Sequence, residues 1–348
     1  MTADYRWRPL SDLTVVDLTR MVPGGTATLL LADLGARVIK IENPLGGDET
    51  RSLEPRVGVD SSAQHQYMDR GKTSIRTDLK TTRGRQQVLD LIAGADAVIE
   101  SFRPGVAERL GIGFTAAVEV KSDVVYLSLS GYGQHGPRSE FAGHDLDFMA
   151  YAGLVDDVPI TLQADVAGGM IAALGILAGV SQVRRSGQPV HLDLALSDAA
   201  LMMGGLQLSE RLAAHTMGVK VATPLDGNSP CYQVYSCADS RQLAVAAIET
   251  KFWTTIVNAL GRPEWQSRQH DPSLIAELAA VFAAQPRAHW TSRLEAAGTC
   301  VAPVADIAEL LADPQVAARG SLIAVASDAG PLWQVAPPLR DISVRPGP

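Results

Sequence analysis

The sequence predicts an α/β fold: a parallel sheet covered by helices on both faces, joined to a smaller domain of different character. Two observations carry this. Short apolar runs alternate with helical patterns through the first half of the chain, and after "TPLDGNSP" the pattern changes to an antiparallel hairpin followed by short helices.

The elements follow in order. "LTVVDL" (Leu13–Leu18) reads as a buried strand, "GGTATLLLADLGA" as a helix ending at Gly35, and "RVIKIE" as a second strand, so the chain opens with a βαβ unit. "TSIRTDL" is a short strand, "TTRGRQQVLDLIAG" an amphipathic helix and "ADAVIESF" a strand. "PGVAERLG" is a helix begun by Pro104, and "DVVYLSL" is another strand. From Asp165 to Arg184 runs one long apolar helix with a basic end. "PVHLDLALSDAALMMGGLQLSERLAA" adds a strand and a helix. "CYQVYSCADSRQLAVAAIE" is the expected hairpin. The division expected is a large domain over 1–221, completed by 306–348, and a small domain over 222–305. The Pro-rich tail "GPLWQVAPPLRDISVRPGP" is expected to pack back on the large domain.

Bulk properties exclude several function classes. At 348 residues with 46% hydrophobic content the chain can bury a sizeable core. A net charge of −8 argues against non-specific nucleic-acid binding. Cys231, Cys237 and Cys300 are too few and too scattered for a disulfide framework or a zinc site, which fits a reducing compartment. "MTADYRWRPL" has no apolar run after a basic segment, and no charge-free run of about eighteen apolar residues stands out. A cytoplasmic protein with no membrane partner is therefore expected.

In α/β sheets ligands bind at the carboxyl ends of strands, so the loops there hold the candidates. "GYGQHG" (Gly131 to Gly136) matches a dinucleotide pattern but follows a late strand and runs into no helical period, so it is a poor fingerprint. Its glycines still let backbone lie against an extended ligand. "MDRGKTSIRTDLK" gathers Arg70, Lys72, Arg76 and Lys80, and "ESFRPG" adds Arg103 at the end of a strand. A solvated basic face explains each cluster alone; together they suit phosphate groups. His144 stands in a Gly-flanked turn before an apolar run, and Asp165 heads another twenty-one residues later. A core histidine and an N-cap carboxylate are the bland alternatives. Glu249 could likewise cap the helix starting near Thr250. No H-E-x-x-H or G-x-S-x-G pattern is present.

Four long blocks, "VVDLTRMVPGGTATLLLADLGARVIKIENPLGGDETR", "DRGKTSIRTDLKTTRG", "ADAVIESFRPGVAERLGIG" and "VVYLSLSGYGQHGPRSEFAGHDLDFMA", resemble the family III CoA-transferases, the CaiB/BaiF group, and within it the α-methylacyl-CoA racemases. The likeness runs from about Leu13 to Gly187 and resumes at "SPCYQVYSCADSRQLAVAAIETKFW". It implies a doubly wound, mostly parallel, Rossmann-like large domain and a small α+β domain. It also implies an interlocked homodimer whose active sites each lie between the large domain of one chain and the small domain of the other. The ligand implied is an acyl-CoA thioester, with no separate cofactor or metal. Arg37, Arg70, Lys72, Arg76, Arg103, Gly131, Tyr132 and Gly133 are the expected CoA-binding residues.

Three positions separate the branches of this family. In its transferases the aspartate matching Asp165 is a nucleophile that carries acyl and then CoA. In its racemases that aspartate pairs with the histidine of a "GHD" segment, supported by a glutamate on the small domain. The chain has "GHD" at 143–145, Asp165 in "ADVAGG" and Glu249 ending "AIE". "DGNSPCYQVY" lacks the glycine run many transferases carry. His144, Asp165 and Glu249 are thus the expected catalytic residues, with Gly168 and Gly169 expected at the oxyanion and acyl pocket. The link between His144 and Asp165 is short for a racemase and holds Asp156 and Asp157, which bears on the acyl chain accepted.

Overall fold

A computed structural model describes residues 7–155, 158–220, 225 and 227–341. Contacts divide the chain into two units, 1–209 with 320–348, and 210–319. The expected boundaries lay at 221/222 and 305/306; the contacts place the second half of one helix and two short helices with the smaller unit.

The larger unit is built on a six-stranded sheet. Its strands are β1 (Thr14–Leu18), β2 (Arg37–Glu42), β5 (Thr73–Arg76), β6 (Ala97–Glu100), β7 (Val125–Ser130) and β8 (Val190–Ala195). They lie in the order β5-β2-β1-β6-β7-β8, every pair parallel. Successive residues of one strand feed opposite layers, because strand side chains alternate. Val15, Val38, Ile99 and Leu127 pack with α1 (Met21–Asp33) and α7 (Gln163–Ser186). Val16, Ile39, Val98 and Tyr126 pack with α3 (Thr82–Ala93) and α5 (Phe114–Val120). That two-sided burial is why the strands read as unbroken apolar runs.

Between these elements lie the small pair β3 (Arg56–Gly58) and β4 (Ser61–Ser62), then α2 (Ala63–Met68), α4 (Val106–Leu110) and α6 (Asp145–Tyr151). The helix expected after β8 is two helices, α8 (Leu196–Met203) and α9 (Gly205–Met217), parted at Gly204. A Cβ on Gly204 would come 2.5 Å from Leu154, so the chain bends where it passes closest to its neighbour. The tail forms a hairpin, β12 (Leu322–Val325) with β13 (Leu332–Val335), tied to the larger unit where Arg70 donates to the Val335 carbonyl at 2.6 Å.

α7 corrects one expectation. Its window of highest hydropathy averages 1.8, long and apolar enough to cross a membrane by length and composition. Interspersed Gly, Ala and Ser hid the run. The helix packs on α1, α8 and β7.

The smaller unit holds the expected hairpin, β9 (Tyr232–Ser236) with β10 (Gln242–Ala246), and a third antiparallel strand, β11 (Val301–Pro303). α10 (Thr250–Ala259), α11 (Leu274–Phe282) and α12 (Arg287–Ala296) cover it, and Trp253, Trp265, Phe282 and Trp290 fill its core. α13 (Ile307–Ala312) and α14 (Pro314–Arg319) complete it, with Arg241 and Arg287 both bonded to Glu309.

Candidate active site

Three glycine contacts set the direction of α7. A Cβ on Gly175 would lie 3.4 Å from Leu127, and one on Gly179 would lie 2.7 Å from Val125. The helix therefore runs back along β7, and its first turn stands at the carboxyl edge of the sheet. α1, which follows β1, starts at the same edge, and Gly169 meets it there.

His144 and Asp165 come to this edge on two adjoining helix starts. His144 is the exposed N-cap of α6, its backbone N–H donating to the Asp147 carboxylate at 2.9 Å. Asp165 is not the N-cap of α7, as the bland reading had it; Leu162 is, and Asp165 lies inside the first turn. The backbone N–H of Asp165 donates to Asp145 Oδ1 at 2.9 Å, so the residue after His144 stitches α6 to the start of α7. Burial pushes the Asp165 carboxyl up to about 6, the Asp145 charge adds to this, and His144 opposes it. A carboxyl so placed exchanges protons near neutral pH.

Asp145 is the functional residue the sequence did not flag, although it stands inside the "GHD" motif. Buried at 5% exposure, it both fixes and tunes its neighbour. Asp145→Asn keeps an oxygen for the Asp165 N–H and removes the charge. The acidic limb of the pH–rate profile is then expected to move down by roughly one unit, measured as kcat/KM from pH 4.5 to 8.

Gly168 and Gly169 lie where α7 meets its neighbours most closely. A Cβ on Gly168 would overlap the Leu196 side chain, and one on Gly169 would lie 2.6 Å from the Pro23 carbonyl oxygen. They let α7 pack closely on α8 and α1. Glu249 caps α10 by position, with Phe252 N–H bonded to its carbonyl. Its side chain makes no capping bond and is exposed on the smaller unit. Asp156 and Asp157 lie outside the described residues.

The basic residues divide sharply. Arg70 is held by both carboxylate oxygens of Asp33, at 2.9 and 2.6 Å. Lys72 is buried against Asp69 at 2.9 Å and Asp17 at 3.7 Å. Both are internal ties, because buried carboxylates claimed them. Arg37 opens β2 at the amino edge, away from His144 and Asp165. Arg76, at the carboxyl end of β5, pairs with Asp60. Arg103 is exposed just past β6, with no ion pair among the described residues. Gly131, Tyr132 and Gly133 follow β7 directly, and Gly133 takes φ +82, which a glycine adopts without strain.

A cavity of about 460 Å³ opens at the carboxyl ends of β1, β2, β5 and β6. Arg20, Lys80, Phe102 and Leu45 line it, beside a wall formed by Glu42 and Asp48. The sequence pointed to this edge through Lys80 and the strand ending at Phe102, but not to Arg20.

A cavity at the carboxyl edge of a parallel sheet, and at the same edge an imidazole within electrostatic reach of a carboxyl, are what an α/β protein offers an extended ligand. Residues 10–343 match the model of CoA-transferase family III, and the chain belongs to that family. It is 31% identical over 338 residues to the acetyl-CoA:oxalate CoA-transferase of Acetobacter aceti, covering 90% of this chain and 85% of that one. It is 29% identical over 354 residues to the alpha-methylacyl-CoA racemase of Homo sapiens, covering 97% and 86%. Among solved structures, a CAIB/BAIF family protein from Brucella suis matches with a TM-score of 0.83 at 27% identity, covering 96% and 93%. Racemases and transferases thus lie at nearly equal distance from this chain.

Proposed function

We propose that the chain is a racemase or epimerase that inverts the α-carbon of a 2-methylacyl-CoA thioester. One observation carries this: Asp165 holds a carboxyl pushed up to about 6, at the same sheet edge and within electrostatic reach of the exposed His144. Inversion requires a proton taken from one face of a carbon and another delivered to the opposite face. An imidazole and a carboxyl sharing one proton do this in either direction, through an enolate, without bonding to the acyl group.

CoA is assigned to the cleft at the carboxyl ends of β1, β2, β5 and β6, with Lys80 and Arg103 as cations for its phosphates, Arg20 beside them in an exposed ion pair with Glu49, and the Gly131–Gly133 loop beside its extended arm. Glu249 from a second copy would bond His144 and fix its tautomer. Large apolar side chains left uncovered support a homodimer: Met170 and Leu174 of α7 are 55% and 65% exposed, and Met202 of α8 is 68% exposed.

The test is incubation of a single-enantiomer 2-methylacyl-CoA in deuterated water, following label uptake and configuration together. Uptake with loss of optical purity is expected. CoA moving to an added carboxylic acid, with an Asp165 adduct trapped by hydroxylamine and no label uptake, would establish transfer instead.

A further inference from the structure

Either reaction of a thioester places negative charge on its carbonyl oxygen, and that oxygen needs a hydrogen-bond donor. Gly168 and Gly169 are the sixth and seventh residues of α7, so their N–H groups are committed to the helix's own carbonyls, and their Cα faces meet Leu196 and α1. The geometry points to the Tyr132 hydroxyl as the donor to the thioester oxygen, an inference that rests on the acyl-CoA reading above.

Tyr132 is held from three sides. Behind it, the Gln134 N–H donates to both carboxylate oxygens of Asp193, at 3.1 and 3.0 Å, pinning the loop after β7. Phe148 and Tyr151 of α6 meet its ring edge-on, with centroids 5.3 and 5.8 Å away. Its hydroxyl reaches the backbone that precedes His144: a Cβ on Gly143 would lie 2.7 Å from the Phe148 ring and 3.3 Å from the Tyr132 oxygen. Gly143 is thus the bare position over which the Phe148 ring packs and the phenol oxygen comes close. That hydroxyl has no hydrogen-bond partner among the described residues, although its ring is partly buried among aromatic neighbours. A rigid phenol with an unused donor, beside His144 at the edge where α7 begins, meets the requirement of preorganisation.

During α-proton removal the C–H electron pair moves into the enolate, the proton goes to His144 or Asp165, and the Tyr132 O–H stabilises the oxygen without giving up its proton. In transfer the same bond would serve the tetrahedral adduct.

Tyr132→Phe keeps the ring and its packing. It is expected to lower kcat about 10²-fold, with KM within threefold and an unchanged melting temperature. Two CoA analogues separate chemistry from structure. S-butyl-CoA, a thioether without the carbonyl oxygen, should bind native protein and variant alike by calorimetry. The ketone in which a methylene replaces the thioester sulfur should bind the variant at least fivefold more weakly. A kcat within twofold of native, or equal loss of both analogues, would overturn the assignment. If the native chain transfers CoA without taking up label, the racemisation reading fails while the same comparison, run on transfer, still decides the role of Tyr132.

Discussion

Asp165→Asn is expected to make the protein more stable at pH 7 while removing about 10²–10⁴-fold of its turnover. The two effects share one cause. The carboxyl ordinarily titrates near 3.8, and in the folded chain burial and the Asp145 charge hold it at about 6. Between those values the folded protein keeps a proton that the unfolded chain releases. Native stability therefore falls as pH rises through that window, and above it the folded state carries a strained, ionised carboxyl. The amide carries no charge at any pH. With a discount for partial exposure, the gain at pH 7 should be on the order of 1–2 kcal/mol, read from denaturant melts, and should close as pH approaches 4. A variant less stable than native at pH 7 would show that the carboxylate is held by favourable partners instead. His144→Ala is the companion substitution: label uptake should be abolished, whereas transfer through an Asp165 adduct would survive.

The largest stability effect is expected at Lys40. This side chain is 2% exposed and donates to the Thr19 carbonyl at 2.7 Å. Asp17 and Asp48 each lie 3.5 Å from its ammonium. Burial alone would lower its pKa, but Asp17, Asp69, Asp48 and Glu42 outweigh that and raise it, so the charge is retained. Lys40→Met fills the volume and leaves two buried carboxylates without their shared cation. The expected cost is about 3–5 kcal/mol at pH 7, read from denaturant melts. An unaltered denaturation midpoint would mean that Lys72, 3.7 Å from Asp17, can neutralise the cluster alone.

The sheet was legible because runs such as Val15–Val16 and Ile39–Ile41 face apolar layers on both sides, and nothing competes with that pattern. The edge carrying His144 and Asp165 was legible through loop position. What a backbone atom faces was not. Gly168 and Gly169 look alike whether they open onto a ligand or a neighbouring helix, and only Leu196 and Pro23 distinguish the cases. Arg70 looked available because its partner, Asp33, comes from a distant helix, and Lys72 because nothing in its stretch shows that Asp69, three residues before it, turns to bind it and that Asp17 closes in from β1. Asp145 went unremarked because its hydrogen bond spans twenty residues.

That bond across the α6–α7 junction acts as a clasp. It closes the loop between the two helices at its base, so the separation of imidazole and carboxyl no longer depends on how many residues the loop contains. Its length and composition become interchangeable parts, free to change while the imidazole and the carboxyl stay where they stand.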